Sequence, residues 1–190
     1  MTVGCDYGSR RLALFRLETA EGFTFTLPKI RRKQWEDRPA ALRSFALYVA
    51  ELVPDSEPLW LEAAISGRTA NNLDTAIKMA QTSGAVCGAH TLTYLVHQAT
   101  WKKGVCGDGH ADKAAVRTWL DTHRPALAEA CRGDQDLYDA ACIALFGRSV
   151  AEGRLEVPRK LQRRRSRPVL RARQCADAER AGTSGEGSVP

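Results

Sequence analysis

Near the amino terminus a short apolar run, Val3-Gly4-Cys5-Asp6-Tyr7, carries a carboxylate near its end and is followed at once by Gly8-Ser9. The small residues allow a tight turn into a second run, Arg11 to Leu17, whose Leu12, Leu14 and Leu17 predict a strand. An acid embedded in a strand constrains the fold strongly, because a carboxylate taken out of water without a partner costs several kcal/mol. Two readings are open at this point. Asp6 caps the turn through its own side chain, or it belongs to a polar or metal-binding cluster to which other parts of the chain contribute.

The chain is 190 residues long and 44% hydrophobic, enough for one domain with a proper core. No apolar run has the length of a membrane span, and Met1-Thr2-Val3 does not open a signal peptide, so the expected location is the cytoplasm. The six cysteines form no CxxC pair and are expected as unpaired core residues; Cys106 with His110 is at best half of a zinc site. The net charge of +6 is unevenly spread: Ala151 to Pro190 holds ten Lys and Arg against five Asp and Glu. A domain over 1–152 is therefore expected to carry a basic, largely disordered tail over 153–190, which adds affinity for polyphosphate.

Gly22 to Leu27 reads as a third strand joined to the second by Thr19–Gly22, with Pro28 ending it. The basic stretch Lys29–Lys33 leads to a helix with Leu42, Phe45, Ala46, Val49 and Leu52 on one face, stopped at Pro54. Pro58 to Ala64 is a fourth apolar run and ends, like the first, near an acid, Glu62. A helix through Leu73, Ala76, Ile77 and Ala80 is predicted to close at Gly84, with a strand over 85–90 and a loop over 96–109. Helices over 111–120, with Ala115, Val116, Trp119 and Leu120 inward, from Pro125, and from Asp134 complete the pattern. Hairpin strands followed by alternating helices and strands predict an α/β domain with a mixed sheet.

Asp136 and Asp139 are three apart on the last helix, hence on one face, at the edge of its apolar stripe. If the first and fourth strands are neighbours, Asp6, Glu62, Asp136 and Asp139 meet at one seam. Four carboxylates in one place repel unless cations neutralise them, and an all-oxygen set favours magnesium or manganese. Two such ions can drive in-line displacement at a phosphodiester.

These residues also resemble a known pattern. Gly4-Cys5-Asp6-Tyr7-Gly8-Ser9-Arg10 is similar to the G-x-D-x-G-S-R strand motif of the RuvC family of Holliday-junction resolvases, members of the RNase H-like superfamily. Glu62 resembles the family's second acid, Gln81-Thr82-Ser83-Gly84 its Q-x-x-G, Gly107 to Lys113 its G-x-G-x-A-x-K segment, and Asp136-Leu137-Tyr138-Asp139-Ala140 its D-x-x-D-A. The matches run in order over about residues 2–150. The resemblance implies an RNase H-like α/β fold, a mixed five-stranded sheet flanked by helices on both faces. It implies a homodimer that makes paired nicks in a four-way DNA junction in a bacterial or phage-infected cell, leaving 5′-phosphate and 3′-hydroxyl ends. It also implies that Asp6, Glu62, Asp136 and Asp139 hold two Mg²⁺ ions, for which Mn²⁺ substitutes, with Asp6 bridging and Lys113 beside the scissile phosphate. Arg68, Lys102, Lys103 and Lys113 are the expected DNA contacts. Ile65 stands where the family often has a stacking aromatic, and Ser66–Asn72 is a few residues longer than its counterpart. Two alternatives to a resolvase are a less selective nuclease for flaps and forks, and a DNA-binding protein without catalysis.

Overall fold

In a computed structural model, residues 1–8, 10–27, 37–63 and 73–156 are described, without side chains at 73–75. They lie in one compact unit, Met1–Glu156. Ser9, Pro28 to Lys33, Ile65, Arg68, the Ser66–Asn72 loop and the basic tail from 157 onward lie outside the described residues.

Strands β1 (Val3–Tyr7), β2 (Arg11–Arg16) and β3 (Glu21–Thr26) form an antiparallel meander; β4 (Leu59–Glu62) lies parallel to β1, and β5 (Thr93–Val96) parallel to β4. The resulting five-stranded mixed sheet has the order β3-β2-β1-β4-β5. The turn after β1 is closed by the Gly8 amide donating to the Arg11 carbonyl at 2.7 Å. Strand β2 does not alternate apolar against polar residues: Leu12, Ala13, Leu14 and Phe15 are all buried, because both faces of this strand are covered. Leu17 falls just past the strand and is buried as well.

Among the described residues six helices accompany the sheet. On one face sit α1 (Arg38–Leu52) and α2 (Leu73–Ala89). There Phe45, Val49 and Val86 close over Val3, Cys5, Leu12, Leu14, Leu59 and Leu61, and Phe25 meets Phe45 edge-on with ring centres 5.4 Å apart. Arg38, buried at the start of α1, ties the two helices by donating to the Lys78 carbonyl at 3.0 Å and the Thr82 hydroxyl at 3.1 Å. The other face belongs to α6 (Gln135–Ala151), buried without interruption from Leu137 to Gly147 and flanked by α3 (Gln98–Cys106) and α4 (Lys113–His123), with α5 (Pro125–Ala130) against α4. A helix buried all round is a central element, and it lies directly on β1. None of the helices among the described residues is long and apolar enough to cross a membrane.

Two stretches differ from the sequence reading. Helix α2 does not close at Gly84, and 85–90 is not a strand: the helix runs through Gly84 and Gly88 to Ala89, and the strand follows at Thr93–Val96. Neither glycine has an atom within 4 Å of where a Cβ would stand, so both sit on the open side of the helix. Each costs about 1 kcal/mol of helix propensity, which burial of Thr82, Ser83 and Val86 on the inner side offsets. The second stretch, 96–109, is not a loop but holds the end of β5 and all of α3. Its Gly104 marks contact rather than a turn, since a Cβ there would stand 2.8 Å from the Phe146 ring of α6. In α4 the inward residues are Val116 and Leu120; Ala115 is exposed, and Trp119 is half-buried and stacks on His123.

Candidate active site

Side chains alternate along β1, so Val3, Cys5 and Tyr7 face α1 and α2 while Gly4 and Asp6 face α6. Gly4 is the crossing point. A Cβ on it would stand 2.5 Å from the Ala144 amide nitrogen and closer still to the Ala140 carbonyl oxygen, so only glycine lets α6 lie this near the strand. That approach sets the level of everything on the same face. Val3, Gly4 and Cys5 pair with Leu59, Trp60 and Leu61, and one further step along this parallel register sets Asp6 beside Glu62. Trp60, on the same side as Glu62, packs edge-on against Phe146 at 5.7 Å, and a Cβ on Gly147 of α6 would run into its ring. Asp139 lies on α6 one residue before Ala140.

Asp6, Glu62 and Asp139 thus come from three elements to one end of the α6 face, and their charges act on one another. Burial, then the Glu62, Asp139 and Asp136 carboxylates, hold the Asp6 carboxyl well above its ordinary value, against a pull downward from Lys113. Burial also raises Glu62, opposed by a hydrogen bond from Trp101 and by Lys102 and Lys113, and reinforced by Asp139. Asp139 is raised by burial and by Asp136, and lowered by the Gln135 amide, which donates to its Oδ1 at 3.2 Å, and by Lys113 and Lys102. No donor among the described residues reaches the Asp6 carboxylate, so it caps no turn there. The first reading of this residue gives way to the second.

Asp136 sits one turn nearer the start of α6 and is drawn aside by Arg11, whose Nη1 donates to Asp136 Oδ2 at 2.9 Å while Nη2 pairs with Asp134. Asp134 in turn caps α6, accepting from the Asp136 amide at 3.1 Å. In this arrangement no three His, Cys, Asp or Glu side chains among the described residues stand close enough to hold one ion. The chemistry of the set nevertheless suits a hard divalent cation: oxygen donors only, mutually repelling, with Asp6 offering both its oxygens unpaired.

The lysines separate into two kinds. Lys113 is exposed at the first position of α4, just after its cap Asp112, and within electrostatic reach of Asp6, Glu62 and Asp139. Lys103 is exposed on α3. Lys102, expected on a surface loop with Lys103, is instead buried, with its ammonium donating to the Ala111 carbonyl at 2.7 Å beneath the acids. An ammonium in that position acts on the carboxylates rather than on solvent. Arg68 lies outside the described residues. Cys5, Cys131 and Cys142 are buried free thiols, Cys87 and Cys106 are half-buried, and Cys106 with His110 gathers no further ligands among the described residues.

Three contributors are absent from the sequence reading of the site: Trp101, Arg11 and Gln135. Gln135 carried a usable signal, since it stands one turn before Asp139 on a predicted helix. Arg11 and Trp101 are joined to the acids only by tertiary structure.

No family model matches this chain, and no curated protein matches it in sequence. Solved structures do. A Thermus thermophilus RuvC structure aligns with a TM-score of 0.59 at 21% identity, covering 80% of this chain and 94% of that one. T. thermophilus RuvC in complex with Holliday junction substrate aligns with a TM-score of 0.57 at 22% identity, covering 80% and 96%. The α/β fold is therefore RuvC-like, with the mixed five-stranded sheet and two helical layers expected of the RNase H-like class.

Proposed function

We propose that this protein is a metal-dependent DNA endonuclease that resolves four-way junctions by paired, symmetrical nicks. The observation that carries the reading is that Asp6, Glu62 and Asp139, from β1, β4 and α6, lie within electrostatic reach of one another, with Asp136 one turn away, at one end of a RuvC-like sheet. A structural role gives no reason to gather repelling carboxylates where burial disfavours their charge. Likeness in fold to a protein solved with a Holliday junction supports the choice of substrate.

In this reading Asp6, Glu62, Asp136 and Asp139 hold two Mg²⁺ ions, with Mn²⁺ able to replace them. Bound there, such a pair would supply activation of a water and neutralisation of charge at the phosphate. The carboxylates fix where the phosphodiester lies, Asp6 from the strand between the other contributors. Lys113, on the exposed rim, meets the negative charge of the phosphate and orients the backbone. Lys103, on the outer side of α3, adds backbone affinity without sequence preference. Lys102 and Trp101 act from within, steadying Glu62 and Asp139. Hydrolysis with the 3′ oxygen leaving gives 5′-phosphate and 3′-hydroxyl ends, and two copies in a homodimer supply the paired cuts.

The test compares a four-way junction, a Y-fork and linear duplex under one set of conditions with Mg²⁺. Symmetrical nicking confined to the junction is the expected result, with Asp6→Asn slowing it by at least about 100-fold. Equal cutting of the fork would reassign the protein to a less selective branched-DNA nuclease, and an Asp6→Asn protein as fast as the wild type would remove the acids from catalysis.

A further inference from the structure

Helix α3, hidden in the sequence, carries the one side chain among the described residues that hydrogen-bonds Glu62. The helix is fixed at both ends: the His97 side chain accepts from the Ala99 amide at 3.3 Å, and Gly107 closes it with a φ of 81°. Between them Trp101 is fully buried and donates its indole Nε1–H to Glu62 Oε2 at 2.9 Å. Lys102, the next residue, is bound to the Ala111 carbonyl and so locks α3 to the segment that leads into α4. Its Nζ also lies 5.6 Å from the centre of the Trp101 ring. An indole packed this tightly has little freedom to turn, so the direction of its N–H is set by the core and not by solvent.

The consequence falls on the two oxygens of Glu62. Oε2 is engaged by Trp101, whereas Oε1 accepts no hydrogen bond among the described residues. We propose that Trp101 is a positioning residue for Glu62, selecting the carboxylate rotamer and leaving Oε1 as the oxygen presented to a divalent cation. The inference rests on the cation-binding reading of the acids and deepens it by adding an outer donor that none of the motif-like segments contains. Outer donors to ligating groups are worth about 10–100-fold in metal affinity. A tryptophan serving only to fill volume would leave that affinity unchanged when its N–H is removed and an aromatic ring still fills most of the space.

Trp101→Phe in the full chain removes the N–H and keeps one aromatic ring in the core, and melting reports the volume lost with the other. Mn²⁺ binding is followed without DNA by the electron paramagnetic resonance of the free ion, alongside thermal melting. The expected result is about tenfold weaker Mn²⁺ binding with a cooperative melting transition retained. A second measurement needs no substitution at Trp101: in ¹⁵N-labelled wild type, the Trp101 indole resonance, assigned by triple-resonance methods, should move on adding Mg²⁺ and stay still in Glu62→Gln. Wild-type Mn²⁺ affinity in Trp101→Phe would overturn the inference while leaving the cation site standing. So would an indole resonance that ignores Mg²⁺ in a wild type that binds it. If Trp101→Phe does not fold, the resonance alone decides. A wild type that binds neither ion overturns the cation reading and this inference together, a result distinct from the other two.

Discussion

Along β1 the odd residues look into a core closed by bulk, and the even residues look at a helix admitted by the lack of it. On the first side Phe45, Val49, Leu59 and Leu61 fill the space between sheet and helices. On the second, Gly4 lies under Ala140 and Ala144, and the same close approach brings Asp139 level with Asp6 and Glu62. One face therefore concentrates apolar burial, the main source of stability. The other concentrates like charge in a half-buried setting, which opposes folding. The division teaches where stability and activity should come apart under mutation.

The largest effect is expected from emptying the apolar face. Phe45→Ala removes a fully buried ring that touches Phe25, and the cavity should cost about 3–5 kcal/mol, read from urea unfolding. Mn²⁺ binding per folded molecule should hold, because Asp6, Glu62, Asp136 and Asp139 lie away from that side. A parallel loss of Mn²⁺ affinity would mean the two faces are not independent. Gly4→Ala tests the other side of the comparison. Its methyl group meets backbone atoms of α6 that no rotamer change can clear, so α6 must shift, at about 1–3 kcal/mol. Here the loss of Mn²⁺ binding and of nicking should exceed the loss of folded protein, since Asp139 moves with the helix. The same melting and binding measurements on both variants give the contrast directly.

Substitution at the charged end should run the opposite way in stability. The Asp6 carboxyl titrates higher in the folded chain than in the unfolded one, so the folded state binds the extra proton. The resulting contribution is complete below the unfolded value and is lost as pH rises through the folded one, leaving the ionised carboxylate a net cost at neutral pH. In chelator, Asp6→Asn should therefore melt above wild type at neutral pH by a few degrees, given that about 1 kcal/mol moves the midpoint roughly 2–4 °C for a chain of this size. The advantage should shrink on acidification towards the ordinary aspartate value. A pH-independent difference, or an Asp6→Asn protein that melts lower, would contradict the repulsion described.

The legibility of the chain divides along similar lines. Strand acids and the paired aspartates of α6 can be read because charge in an apolar pattern is conspicuous, and the glycine of β1 stands beside them. What hides is structure without contrast. The stretch Ser83-Gly84-Ala85-Val86-Cys87-Gly88-Ala89 is so small and uniform that it carries neither period, and its helix appears only in the folded chain, where Val86 turns inward. In α3 the contrast is inverted: Lys102 looks like surface and is buried, and Gly104 looks like a turn and is a contact. Trp101 sits among these misleading neighbours. Its bond to Glu62 spans 39 residues and is made by packing alone, which no local pattern encodes.

Arg11 offers the smallest and most pointed effect. Its side chain is 40% exposed and pairs with Asp134 and Asp136, themselves partly open to solvent. Exposed ion pairs contribute about 0–1 kcal/mol, so Arg11→Met should melt close to wild type. Asp136, however, is shared: whatever the guanidinium holds is withheld from a cation near Asp139. Arg11→Met should then bind Mn²⁺ a few-fold more tightly than wild type at low salt, and the gap should close as salt screens the pair. Asp134 keeps its capping bond to the Asp136 amide in the variant, so the start of α6 stays in place and the change reads the carboxylate itself. Weaker Mn²⁺ binding would reverse the assignment: Arg11 would then be holding Asp136 ready for the ion, and the charged end would be preorganised by its cation in the way the opposite face is preorganised by its packing.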